Sequence, residues 1–199
     1  RGGIRPHSTR LRLLGTHIAH AGILVLLVGH VLTTTLVDRT DPSNFVTLER
    51  DVPTQHQGME LVFTGVEVLS ADEEGYGYRI GDGYVGVVIE ARDDGGELLG
   101  TITPGMLRFD SPSGMVSARS EVDRLTGATG DTIVILDLLQ SNELLSSMIL
   151  GQTDDVSEVR VTVHRLQGSH LVWAGWLMVI IGSALSSLPR RVTEPSEDE

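Results

Sequence analysis

Cysteine and lysine are both absent from the 199 residues. Without cysteine there is no disulfide, no thiolate metal site and no cysteine nucleophile, and thiol usage says nothing about the redox compartment. Without lysine, all fifteen basic residues are arginine; set against 27 Asp and Glu they give a net charge of −12. Neutralising a phosphate backbone needs a basic surface, so no nucleic acid is expected as a partner. The composition is haloarchaeal-like: acidic surfaces stay hydrated at high salt, although a GC-rich genome also favours arginine over lysine. A catalytic constellation is missing too. No Ser/His/Asp set, phosphate loop or carboxylate dyad stands out, and Asp93-Asp94 and Asp154-Asp155 lack calcium-loop spacing. No complete active site is visible in this chain.

What is present is two long apolar runs, Leu13 to Val37 and Ser169 to Leu188, neither containing Asp, Glu, Lys or Arg. About 20 apolar residues cross a bilayer as a helix. Basic residues near a span prefer the cytoplasmic side. Arg1, Arg5, Arg10 and Arg12 precede the first run, and Arg190 and Arg191 follow the second. The expected organisation is therefore a cytoplasmic basic segment (1–12), a transmembrane helix (13–37), an extracytoplasmic β-rich domain (38–168), a second transmembrane helix (169–188) and an acidic cytoplasmic tail (189–199). Such a chain is a multi-pass protein of the cell membrane with both termini cytoplasmic.

Between the runs, short alternating stretches broken by turn residues predict an all-β domain, a sandwich or open barrel, starting near Phe45. Met59, Leu61 and Phe63 alternate with polar neighbours, and the register slips at Gly65, as at a bulge. Val85, Val87, Ile89 and Ala91 form another face. Further strands are expected at Leu98 to Thr103, Met115 to Ala118, Thr132 to Leu136 and Val159 to Val163, and Leu138 to Leu150 is a short helix or an ordered loop. The Gly-Tyr repeats at 75–78 and 81–84 read as ordinary turn chemistry.

Histidines are the anomaly of the first run. Ionisable groups at membrane depth are costly and mark sites by default. His20 sits in Ala19-His20-Ala21-Gly22, where small neighbours leave room for a planar macrocycle. A neutral imidazole is a usual axial ligand of haem iron, and the alternative is a histidine that only hydrogen-bonds helices together. His17, one turn towards the cytoplasm, His30, about 80° around the helix from His20, and His170, at the mouth of the second run, are weaker candidates. His7, His56 and His164 show no metal-ligand spacing. Gly15, Gly22 and Gly29 recur every seven residues, a smooth stripe for close helix packing.

The run GTHIAHAGILVLLVG resembles the AHLG…LLxxG helix of the CcmF family, the haem lyase subunit of the cytochrome c maturation system. The stretch LVDRTDPSNFVTLERDVPTQHQGMELVFTGVEVL is similar to that family's passage into its β-rich extracytoplasmic domain. VRVTVHRLQGSHLVWAGWLMVIIGSALSSLPRR is similar to its closing helix. This resemblance implies that the chain is the C-terminal part of a haem lyase, as a fragment or a split subunit. It implies that His20 is one axial ligand of a membrane b-type haem (haem b), the second histidine lying in the remainder of the CcmF-like protein or in a partner chain. The implied role is to help deliver, reduce and covalently attach haem to apocytochrome c, with a haem chaperone and other maturation components as partners. The family's earlier Trp-rich motif and external histidines have no counterpart here, and the lysine-proline before its last helix is absent. Two other classes fit the same layout: a non-catalytic structural or docking subunit of a membrane complex, and an extracytoplasmic ligand sensor.

Overall fold

The computed structural model describes residues 7–35, 37–77 and 79–188. The N-terminal arginines Arg1 and Arg5, the Arg190-Arg191 pair and the acidic tail lie outside these residues. In chain order the elements are α1 (His7–His30), β1 (Phe45–Glu49), β2 (Thr54–His56), β3 (Met59–Ser70), β4 (Gly83–Arg92), β5 (Leu98–Ile102), β6 (Gly105–Asp110), β7 (Val116–Glu121), β8 (Asp123–Gly127), β9 (Gly130–Leu136), α2 (Leu138–Leu150), β10 (Glu158–Gln167) and α3 (Ser169–Ser186). The chain divides into a helical unit, Arg1–Val37 with Leu166–Glu199, and a β unit, Asp38–Arg165.

In the helical unit, two stretches, Thr9–Thr35 and Ser169–Ser186, are long and apolar enough to cross a membrane. The first helix starts at His7, earlier than the apolar run, because Arg10 and Arg12 extend it; Arg12 Nε donates to the Ser186 carbonyl at 3.1 Å. Its other end loosens into a π-turn over Val31–Thr35. There the Thr33 hydroxyl donates to Gly29 O at 2.9 Å and the Thr34 hydroxyl to His30 O at 2.6 Å. Threonine hydroxyls that bond back to the preceding turn are a recognised cause of such irregularity.

Helices α1 and α3 pack antiparallel through glycine. A Cβ added to Gly22 would fall 2.8 Å from Met178 Cβ and 2.9 Å from Gly175 O, and one added to Gly29 would fall 2.6 Å from Val172 N. At Gly15 it would fall 2.7 Å from Gly182 O. The contact is reciprocal: a Cβ on Gly175 would strike Leu26 N at 2.5 Å, and one on Gly182 would strike the Ala19 backbone. Gly175 and Gly182 on α3, with Gly168 at its cap against the Leu32 side chain, thus form a second seven-residue repeat that interleaves with the first.

The β unit holds a four-stranded sheet in the order β1-β10-β9-β8 and a larger one in the order β2-β3-β4-β6-β7, with β5 also on β4. The pairs β1–β10, β2–β3, β3–β4, β4–β5, β4–β6, β6–β7 and β8–β9 are antiparallel. The chain passes from one sheet to the other at Arg50-Asp51, where Asp51 takes φ 61° and its N–H donates to the Phe63 carbonyl at 2.8 Å. A β-bulge lies where the β3–β4 register shifts between Phe63 and Gly65, and the Thr64 hydroxyl donates to Val88 O at 3.2 Å. Leu48, Leu61, Phe63, Val87, Ile89, Val134, Val159 and Val161 are fully buried in the core, joined by Leu144 of α2. Burying each such side chain contributes about 1.5–3 kcal/mol.

β4 is central and is buried on both faces over its first half. Its second face carries Tyr84, which with Tyr76 and Leu107 forms a smaller cluster against Leu69 and Phe109. The stretch is a turn, with Gly77 and Gly81 at φ 66° and 108°, and its tyrosines are core residues as well: the Tyr76 hydroxyl donates to Ile80 O at 3.0 Å, and that of Tyr84 donates to Thr103 O. Burial pushes the Tyr84 hydroxyl pKa up to about 12. Tyr78 lies outside the described residues.

The glycine contact has no room for a side chain, so Gly22→Leu is expected to separate α1 from α3 at a cost of about 2 kcal/mol or more. The Thr16 and Ser186 hydroxyls are 3.3 Å apart, and the chain has no cysteine of its own. Oxidation of a T16C/S186C pair should therefore give an intramolecular disulfide in high yield, falling severalfold when Gly22→Leu is added; an unchanged yield would contradict the packing.

Candidate functional site

Two positions on a helix are separated by about 200°, so His20 points away from the face that Gly22 turns to α3. That outward face has its own regularity. Leu13, His17, His20, Leu24, Leu27 and Val31 follow one another at alternating steps of four and three, the spacing of a helix-packing seam, and all six are exposed. Leu24 is the most open of its apolar members, at 65%. One face of α1 is thus closed against α3, and the opposite face is an apolar seam interrupted by two imidazoles.

The ring of His20 is oriented by its own helix. Nδ1 lies 2.7 Å from the Thr16 carbonyl. A carbonyl only accepts, so Nδ1 carries a proton, and in the neutral ring Nε2 is then the nitrogen with the lone pair. A ring held through one nitrogen with the other free is the state in which imidazole ligates a metal. The small residues beside it belong to the packing stripe of α1. Ala19 and Gly22 lie on the face packed against Gly182, Gly175 and Met178, so their size is required by α3; only Ala21 lies on the exposed side of His20.

His17 is exposed one turn away on the same seam. His30 and His170 are exposed at the other end of the helix pair. There the contact of Gly29 with Leu171 and Val172 sets His30 level with the start of α3. The four histidines therefore form two pairs by height, His17 with His20 and His30 with His170. Among the described residues, no group of three or more His, Asp or Glu side chains converges to hold a metal ion.

No family model and no curated protein matches the sequence. The fold matches a solved cytochrome c haem lyase, CcmF. The superposition has a TM-score of 0.59 at 14% identity and covers 94% of this chain. It covers 26% of the CcmF chain, so this chain spans about a quarter of that protein's length. At this identity the likeness to CcmF is one of fold, and it takes in both the apolar helices and the β unit.

Outside the CcmF-like helix pair, two histidines that the sequence leaves unremarkable stand out. His56 Nε2 and His164 Nδ1 are buried with no hydrogen-bond partner among the described residues. The hairpin after His56 docks on the end of β10: Gln57 Nε2 donates to Val163 O at 3.4 Å, and Arg165 Nη1 donates to Gln57 O at 3.0 Å. Burial lowers the pKa of both rings, with the Arg39 charge a second cause at His164.

A histidine whose folded pKa lies below its unfolded value of 6.5 is kept neutral by the fold. The unfolded chain then takes up the proton first, so stability is full above about pH 6.5 and is lost as the pH falls below it. The melting temperature of the β unit should therefore drop between about pH 7 and 5.5, and the drop should shrink in a His56→Gln/His164→Gln variant followed by circular dichroism. An unaltered pH dependence in that variant would contradict the assignment.

Proposed function

We propose that this chain works in cytochrome c maturation as a membrane subunit, or segment, of a CcmF-like haem lyase, and that His20 supplies one axial ligand of a membrane-embedded haem b. The observation that carries this is His20 itself: an exposed imidazole on the outer seam of α1, its Nδ1 tied to Thr16 O at 2.7 Å. The CcmF-like fold supports the same reading.

The chain's own contribution is positional. The glycine contact with α3 fixes the rotation of α1, and the Thr16 carbonyl fixes the tautomer of His20, so that a lone pair projects from the seam. Leu24 and Leu27, one and two turns beyond His20 on the seam, would supply apolar surface for a macrocycle. A haem bound there supplies a one-electron redox centre. Its second ligand would come from the remainder of the CcmF-like assembly, which also packs on the seam; His17 lies one turn away on that seam, and His30 and His170 lie at the other end of the helix pair.

Both helices cross the membrane in this account. Arginines gather at one end of the pair, where Arg12 bonds Ser186 and where Arg190 and Arg191 follow in sequence, so that end is cytoplasmic by the positive-inside rule. The β unit is then extracytoplasmic, on the side where apocytochrome c and the haem chaperone meet the complex.

A reduced-minus-oxidised visible spectrum of the assembled complex in detergent should show a bis-histidine b-type signal. His20→Ala should abolish it, while His17→Ala, one turn away on the same seam, should retain it. A signal that survives His20→Ala, or no signal in the unaltered complex, would overturn the assignment.

A further inference from the structure

Strand β7 ends the larger sheet, and five of its six residues are exposed. The hairpin that leads into it pairs Ser111 N–H with the Met115 carbonyl at 2.8 Å. Antiparallel ladders alternate, so on this register Ser117, Arg119 and Glu121 bond towards β6, and Val116, Ala118 and Ser120 turn their N–H and C=O groups outward. No strand of the described residues takes them up. Apolar residues flank the edge, with Met115 at 71% and Val122 at 50% exposure. A free edge of this kind is a template for another strand.

At the end of this edge opens a cleft of about 480 Å³ whose charge runs against that of the chain. Its floor is Leu107, which lies opposite Arg119 in the β6–β7 register, and Ile80 and Val122 are apolar flanks. Two arginines line it. Arg79 is fixed: its guanidinium lies 4.3 Å over the Tyr84 ring, Nε donates to Glu121 at 3.0 Å, and Nη1 donates to the Tyr76 carbonyl at 3.3 Å. Arg119 is exposed and makes none of the ion pairs formed among the described residues. In a chain of net charge −12, an uncompensated guanidinium beside a fixed one, above an apolar floor and at the end of an open ladder, matches a carboxylate carried on an extended backbone.

We propose that the β7 edge receives an extended peptide as an added strand, and that Arg119, with the open side of Arg79, holds a carboxylate of that peptide in the cleft. The outward groups of Val116, Ala118 and Ser120 supply backbone pairing, and the arginines set register and charge preference. This site is separate from the proposed haem ligand and stands whether or not His20 binds iron.

The probe is a fluorescein-labelled, C-terminally amidated hexapeptide, Val-Thr-Val-Thr-Val-Asp, compared with its Asn-ended twin by fluorescence anisotropy against the full chain in nanodiscs. The Asp peptide should bind about tenfold more tightly than the Asn peptide. Arg119→Glu should erase that preference, and Ser120→Pro, which removes an outward N–H, should weaken both peptides. Arg119 is exposed, so its replacement leaves the fold intact, which an unchanged melting temperature would verify. Equal binding of the two peptides, a preference that survives Arg119→Glu, or no binding of either overturns the proposal.

Discussion

The close approach of α1 to α3 decides what every other part of the helical unit can do. Five glycines, three on α1 and two on α3, let the backbones touch at distances where any side chain would collide. Such a contact admits little rotation or sliding, because Gly15, Gly22, Gly29, Gly175 and Gly182 are each seated against backbone of the other helix. The orientation of α1 follows from it, and so does the direction of His20, two positions from Gly22 and hence on the far side. A histidine on a freely rotating helix would be an adventitious polar group in lipid; on this one it has a fixed bearing.

The β unit is held by a different principle. Its core is an ordinary burial of alternating Val, Leu, Ile and Phe between two sheets, and the bulge beyond Phe63 keeps those residues facing inward as the strand bends. β4 departs from simple alternation because it is covered twice, by the main core on one face and by the Tyr76, Tyr84 and Leu107 cluster on the other. The second cluster seats Arg79 over Tyr84, so the packing that buries two tyrosines also shapes the cationic cleft beside β7.

Features written in strong periodic patterns were legible in the sequence: the apolar runs, the glycine stripe of α1, the alternation of β3 and β4, and the bulge at Gly65. The reciprocal stripe on α3 was less so, because Gly168 lies before the apolar run and the tryptophans draw attention to the outer face. Strands β1, β2, β6 and β8 are short and rich in polar residues, and only their partners define them. The turn at the Gly-Tyr repeats was legible from their glycines, but the burial of Tyr76 and Tyr84 was not, because it depends on Leu107 and Phe109 of a later strand. At the candidate site, His20 was visible as an anomaly, but its tie to Thr16 has no sequence signature, since every helical residue has a carbonyl four positions back. The smallness of Ala19 and Gly22 was read both as a packing stripe and as room beside His20, and the contact with α3 accounts for it.

An apolar seam with one oriented imidazole, on a fold shared with a cytochrome c haem lyase, is the physical content of the proposed role in cytochrome c maturation. The most direct test is to delete this chain from its host and stain membrane proteins for covalently bound haem after denaturing electrophoresis. The account predicts that c-type cytochromes lose their haem, that b-type cytochromes keep theirs, and that re-expression of the chain restores the loss. Undiminished haem on the c-type cytochromes of the deleted strain would contradict it.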